Sequence, residues 1–118
     1  MSTENTILLT ATSTESQQFL YSEKQKGAGY YRRDNPVHTA VFQFNNFKGS
    51  VKIQATLTMY PSDGDWFDVE YDNGDALEAV DSTPLLTNVS RNFTGNFIWL
   101  RAAYQLEQGE ITEIRFSV

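Results

Sequence analysis

The sequence predicts an all-β fold: a single antiparallel β-sandwich, jelly-roll-like, of about eight strands within one domain spanning 1–118. Three observations carry this. From Val51 onward apolar and polar residues alternate strictly. Val51, Ile53, Ala55, Leu57 and Met59 share one face, and Lys52, Gln54, Thr56, Thr58 and Tyr60 the other. Period two is that of a strand half in a core and half in water. The longest apolar run, Phe97-Ile-Trp-Leu100, is short, aromatic and bounded by Gly95-Asn96 and by the polar segment 107–110. It reads as a strand buried on both faces. Between such runs turn residues recur at short spacing, and no amphipathic helical period appears.

In chain order, residues 1–5 are a polar tail, 6–11 a first strand and 18–21 a second. Segment 23–29 is a loop in which Gly27 and Gly29 free the backbone. Tyr30 and Tyr31 lead to Asn35-Pro36, a turn pair that stops a ladder. Residues 37–44 form a strand, Asn45, Asn46 and Gly49 a turn, and 50–60 the alternating strand. The cluster 61–65 closes a hairpin with 66–71, whose Phe67, Val69 and Tyr71 point inward. Residues 72–84 are acidic and irregular, with room for one helical turn at 76–79. Strands at 85–93, 97–104 and 111–118 complete the count. In the last, Thr112, Ile114, Phe116 and Val118 share a face.

The totals exclude several function classes. A chain of 118 residues can bury a core without staples. It has no cysteine, hence neither disulfides nor thiolate metal sites. Its start lacks the basic and apolar regions of a signal peptide, and no run approaches the roughly 20 apolar residues of a membrane span. The net charge of −6 argues against a nucleic-acid partner, which needs Lys and Arg to neutralise phosphates. One local exception is Lys24, Lys26, Arg32 and Arg33 beside Tyr21, Tyr30 and Tyr31. It reads as a solvated loop with snorkelling side chains. The lone histidine, His38, lies within a strand without a nucleophile elbow nearby, and reads as structural.

Two patterns suggest binding. Eight acids between Asp63 and Asp81 make an oxygen-rich stretch, with Asp63, Asp65 and Asp68 the weak candidates for a Ca²⁺ site. Their order does not match a calcium loop, so the expected cofactor is none. Tyr60 and Trp66 lie opposite the core residues of their strands and are expected to stand side by side across the hairpin, with Tyr30 and Tyr31 as further aromatic candidates. Such platforms hold sugar rings and also form subunit interfaces, where Trp and Tyr are enriched. The run 97–104 offers apolar side chains to both faces. Ile98, Leu100, Arg101 and Tyr104 are therefore the candidate interface, covered by a second copy or by a lid at Tyr30-Tyr31. Arg101, inside that run, calls for a carboxylate from its own chain or a neighbour.

Three motifs in order carry a resemblance: Ser50-Val-Lys-Ile-Gln-Ala-Thr-Leu57, Trp66-Phe-Asp-Val69 and Phe93-Thr-Gly-Asn-Phe-Ile-Trp-Leu-Arg-Ala102. They resemble the I-Q-A-(T/S)-L, W-x-x-V and F-T-G-N-F-V-W-(V/I)-R-A strands of small virion structural proteins of tailed, T4-like bacteriophages of marine cyanobacteria. Gly109, Ile111 and Ile114 fit the family's ending, so the similarity covers 37–118. The layout is also similar to galactose-binding-like and discoidin jelly rolls, without their disulfide. The phage resemblance implies a non-enzymatic particle component in the virion, whether head decoration, neck, tail, baseplate or fibre. Its partners would be itself, as a homo-oligomer, and other virion proteins, with no membrane or nucleic acid. The alternative is a carbohydrate-binding module that contacts host glycans through Tyr60 and Trp66.

Overall fold

Two long strands organise the chain: β4 (Val37–Thr56) and β8 (Trp99–Ser117), paired antiparallel from Thr39 opposite Ser117 to Thr56 opposite Trp99. The computed structural model describes residues 5–13, 15–32, 36–81 and 86–117. The tail at 1–4, Arg33, Asn35 of the expected turn, Pro84, Leu85 and Val118 lie outside these.

Each long strand absorbs two expected strands and the turn between them. The turn clusters face each other across the ladder, with Asn45 opposite Glu110 and Lys48 opposite Gln108. Because each has the other as a pairing partner, neither ends its strand. Both bulge instead, and the register shifts between Gln43 and Phe44, Asn45 and Lys48, and Lys48 and Gly49. Bulges bend a strand and sharpen its twist. Gly109 allows the corner. Its φ is 80°, and a Cβ there would stand 2.0 Å from the Asn46 carbonyl oxygen.

The corner divides this ribbon into two arms. Along the first, β7 (Leu86–Thr94) pairs with β4 and β1 (Asn5–Thr12) with β8. Along the second, β5 (Phe67–Asp68) and β6 (Leu77–Asp81) flank β4, while β2 (Leu20–Tyr21) and β3 (Gln25–Lys26) flank β8. The chain is thus all-β, with eight antiparallel strands in one hydrogen-bonded sheet. The pairing establishes the all-β class in one continuous sheet; the sandwich layering and jelly-roll connections remain an expectation from the sequence. One core serves both arms. Phe42, Ile114 and Phe116 come from the first arm, Val51, Ile53 and Leu100 from the second. At the corner Phe47 stacks 4.4 Å from Phe44.

Local differences from expectation have physical causes. The alternating strand stops at Thr56 because β8, its partner, starts at Trp99 and offers no further rung. Thr56 Oγ1 then accepts the Thr58 N–H at 3.2 Å and turns the chain. Leu57 and Met59 are therefore exposed, as is Phe67, while Val69 and Tyr71 do pack on the core. Residues 77–81 form strand β6 rather than a helical turn, since Val51 pairs with Leu77 and buries it. In β8 the inward residues are Ile111, Ile114 and Phe116, and Thr112 is displaced outward at the Gln43/Phe44 bulge.

Helix α1 (Ala28–Tyr31), a single turn, lies against the backbone at 96–98. Gly27 N–H donates to the Ile98 carbonyl at 2.9 Å and Gly29 N–H to the Phe97 carbonyl at 2.8 Å. That contact is so close that a Cβ on Gly29 would stand 2.1 Å from the Asn96 carbonyl oxygen.

Candidate functional site

The outer face of β8 carries Trp99, Arg101 and Ala103, as strand alternation from Leu100, Ala102 and Tyr104 requires. Leu100 and Tyr104 are buried in the chain's own core and offer nothing to a partner, which corrects their reading as interface residues. Ile98 precedes the strand, half-buried, and its N–H donates to the Thr56 carbonyl at 2.9 Å. The cover over the outer face comes from the chain itself. Tyr30 packs 5.1 Å from Trp99, Lys24 Nζ sits 5.0 Å above the same indole, and Lys26 Nζ lies 4.6 Å above Tyr30. Trp99 Nε1–H donates to the Met59 carbonyl at 2.8 Å. The lid with Tyr30 is therefore the one formed, and the basic residues of the loop rest on its aromatics.

Arg101 is the best-positioned polar group on this face. Its guanidinium packs on two rings, 4.1 Å from Tyr21 and 4.3 Å from Trp66. Two strand registers fix it in the sheet plane. Gln54 stands opposite Arg101 on β4, and Asp68 stands opposite Gln54 on β5. Arg101 Nε–H donates to Gln54 Oε1 at 2.9 Å, and Gln54 Nε2–H to Asp68 Oδ1 at 3.0 Å. Lys52 Nζ pairs with Asp68 Oδ2 at 3.2 Å. The Gln54 hydrogen bond is the largest effect on the Asp68 carboxyl; burial opposes it, and Lys52 adds to it, so the pKa lies below its usual range. For Arg101 burial is the larger effect and lowers its pKa, while Tyr21 and Asp63 pull it back up. Among the described residues no carboxylate forms an ion pair with Arg101; its in-chain partners are an amide oxygen and two rings. A cleft of about 220 Å³ opens beside it, lined by Ser22, Glu23, Lys24, Pro61, Trp66 and Arg101.

Other sequence candidates are dispersed. Tyr60 is almost wholly exposed and makes no ring contact with Trp66, whose stacking partner is Arg101. Tyr31 meets Tyr30 edge-on at 5.8 Å and stays partly exposed. The acids do not converge. Asp65 Oδ2 accepts from Ser62 N–H at 2.8 Å and caps a 3₁₀ turn, Asp68 belongs to the Gln54 row, and Asp72 Oδ2 accepts from Thr94 Oγ1 at 2.7 Å. Asp63 starts the same 3₁₀ turn as Asp65. Among the described residues no group of three His, Cys, Asp or Glu is placed to hold a metal ion. His38 is fully buried and structural. Its Nε2 accepts the Ala28 N–H at 3.0 Å, and its ring stacks on Phe93 at 4.8 Å.

Sequence patterning points to Arg101 and Trp66 but not to Gln54 or Tyr21. Gln54 reads as one of several outward polar residues. Only the β4–β8 register, between residues far apart in sequence, sets it against Arg101. Compared with known proteins, the chain matches no family model and no curated relative.

Proposed function

We propose that the protein is a structural component of a bacteriophage particle that acts through protein–protein assembly, without catalysis, and that its contact surface is the end of the fold beyond the last β4–β8 rung. The observation that carries this is a group of apolar side chains in water there: Leu57, Met59, Tyr60 and Phe67, exposed by 65%, 43%, 90% and 41%. They are held together. Phe67 pairs with Ala55, Thr56 with Trp99, and Trp99 is tied to Met59. Exposed aromatic and Met side chains in one region are the composition of an interface core. This replaces the outer face of β8, which the chain covers for itself, as the surface for a second copy or another virion protein. The resemblance of the three motifs to phage virion proteins supports the setting in a particle.

The test has two parts. Sedimentation of the purified chain should show self-association that Leu57→Asp combined with Tyr60→Ser abolishes. Reconstruction or immunogold labelling of the particle should find the chain there. A monomer at micromolar concentration that is also missing from purified particles overturns the reading. A carbohydrate-contacting role retains one specific observation in its favour, the cleft beside the Trp66–Arg101 stack. The Tyr60–Trp66 platform first expected for it is not formed.

A further inference from the structure

Arg101 is built as a receptor. Two rings, Tyr21 and Trp66, pack on its guanidinium, and Gln54, itself anchored by Asp68 and Lys52, takes Nε–H. This leaves the two Nη groups, and no described side chain accepts from them. A guanidinium held flat with its terminal nitrogens unused presents a fork that fits a carboxylate bidentately. Because the fork is already fixed, little rotamer freedom remains to be lost on binding.

We propose that the cleft at Ser22, Glu23, Lys24, Pro61, Trp66 and Arg101 binds an acidic saccharide residue, with the sugar's carboxylate on the Arg101 Nη groups. The chemistry of the walls selects this class. Lys24 adds a second positive charge on the rim. The wall is mainly polar, and the Glu23 carboxylate and Ser22 supply acceptors for hydroxyls beside Pro61 and Trp66. Glu23 repels any anion, a sugar carboxylate included, so the hydroxyls it can accept from are what favour a sugar acid over a bare carboxylate. At about 220 Å³ the cleft is smaller than the roughly 300–1,000 Å³ of drug-sized pockets, room for a single ring. The proposal deepens the carbohydrate-contacting reading and is independent of assembly through the Leu57–Phe67 end.

The test is an NMR titration of the ¹⁵N-labelled full chain with glucuronate, using glucose and acetate as controls. Glucuronate should shift the Arg101 Nε–H and Trp66 Nε1–H resonances saturably. Glucose should bind at least about tenfold more weakly, the loss expected for about one charge-assisted hydrogen bond, and acetate, which keeps the carboxylate, should bind about tenfold more weakly through loss of one or two hydroxyl hydrogen bonds. Arg101→Lys, which keeps the charge but not the fork, should reduce glucuronate affinity by a similar factor. If that variant fails to fold, the wild-type comparison of the three ligands decides alone. Equal affinity for glucose would preserve a carbohydrate role but overturn the carboxylate assignment. Equal affinity for acetate would overturn the sugar assignment. No shift at either resonance at millimolar glucuronate would overturn the site.

Discussion

His38 and Tyr71 show how burial sets the behaviour of single side chains. With Nε2 accepting from Ala28, the neutral imidazole carries its proton on Nδ1, and the ring has no exposure. Burial holds its pKa below the ordinary 6.5, opposed by the carbonyls of Phe93 and Pro36. The unfolded chain therefore takes up a proton near that value while the folded chain does not. Stability is full above 6.5 and falls as pH drops through 6.5 towards the lower folded pKa. The single histidine signal in ¹H NMR is expected to titrate below 6.5, and His38→Gln, which still accepts from Ala28, to flatten the slope of stability in that window. Tyr71 presents the opposite economy. Burial pushes its phenol up to about 12 against the pull of the Ile53 backbone, and its hydroxyl, beside Phe42 and Phe93, makes no hydrogen bond of good geometry to any described residue. An orphaned buried hydroxyl costs about 1–3 kcal/mol. Tyr71→Phe is expected to be neutral or stabilising by up to about 1 kcal/mol in urea unfolding, and a loss of stability would mean the hydroxyl has a partner.

At the scale of elements, the lid and the sheet depend on different contacts. Segment 27–31 is pressed backbone to backbone on 96–98, which only glycine permits at position 29. Gly29→Ala is expected to cost about 1–3 kcal/mol, the range of overpacking. Gly64 has nothing within 4 Å of a built Cβ, so Gly64→Ala should stay within about 0.5 kcal/mol in the same denaturation assay. The two aromatics on the buried and covered sides should also differ. Phe93 is fully enclosed beside His38 and Phe97, and its truncation to Ala should cost about 3–5 kcal/mol. Trp99, half-buried under Tyr30 and Lys24, should lose less on truncation, about 1–3 kcal/mol. Equal losses would place Trp99 in the core.

The whole molecule is closed by its most distant pairings. β4 and β8 lie at opposite halves of the chain, and β1 at the start pairs with β8 at the end. Loop closure must precede nearly every rung of the ladder, so little stabilisation is available locally. Refolding from denaturant is expected in milliseconds to seconds by stopped-flow fluorescence, as for domains of non-local β pairing; a microsecond phase completing the fold would contradict this topology. The same topology leaves one end of the ribbon without a further rung, and there the apolar side chains at 57–60 reach solvent.

Period-two patterning was sufficient for the β class and for most inward faces. Val51, Ile53 and Ala55 on β4 are buried where alternation puts them; on β8 alternation separates Leu100, Ala102 and Tyr104 from Trp99, Arg101 and Ala103, and the fold decides that the first set enters the chain's own core. The outward direction of Arg101 then follows from the same parity, because side-chain direction in a strand is a local property of the backbone. Pairing is not local. Whether Asn45-Asn46 and the Gly109 segment end a strand or bend one depends on their lying opposite each other, and so does the choice between two sheets and one. Likewise, Leu57 and Met59 continue the alternation but leave the core, because the partner strand begins only at Trp99, opposite Thr56, and reaches neither of them. The Arg101–Gln54–Asp68 row exists only in the folded register of three strands. A slip of one residue in any of them would send its own member of the row to the other face and dissolve the site.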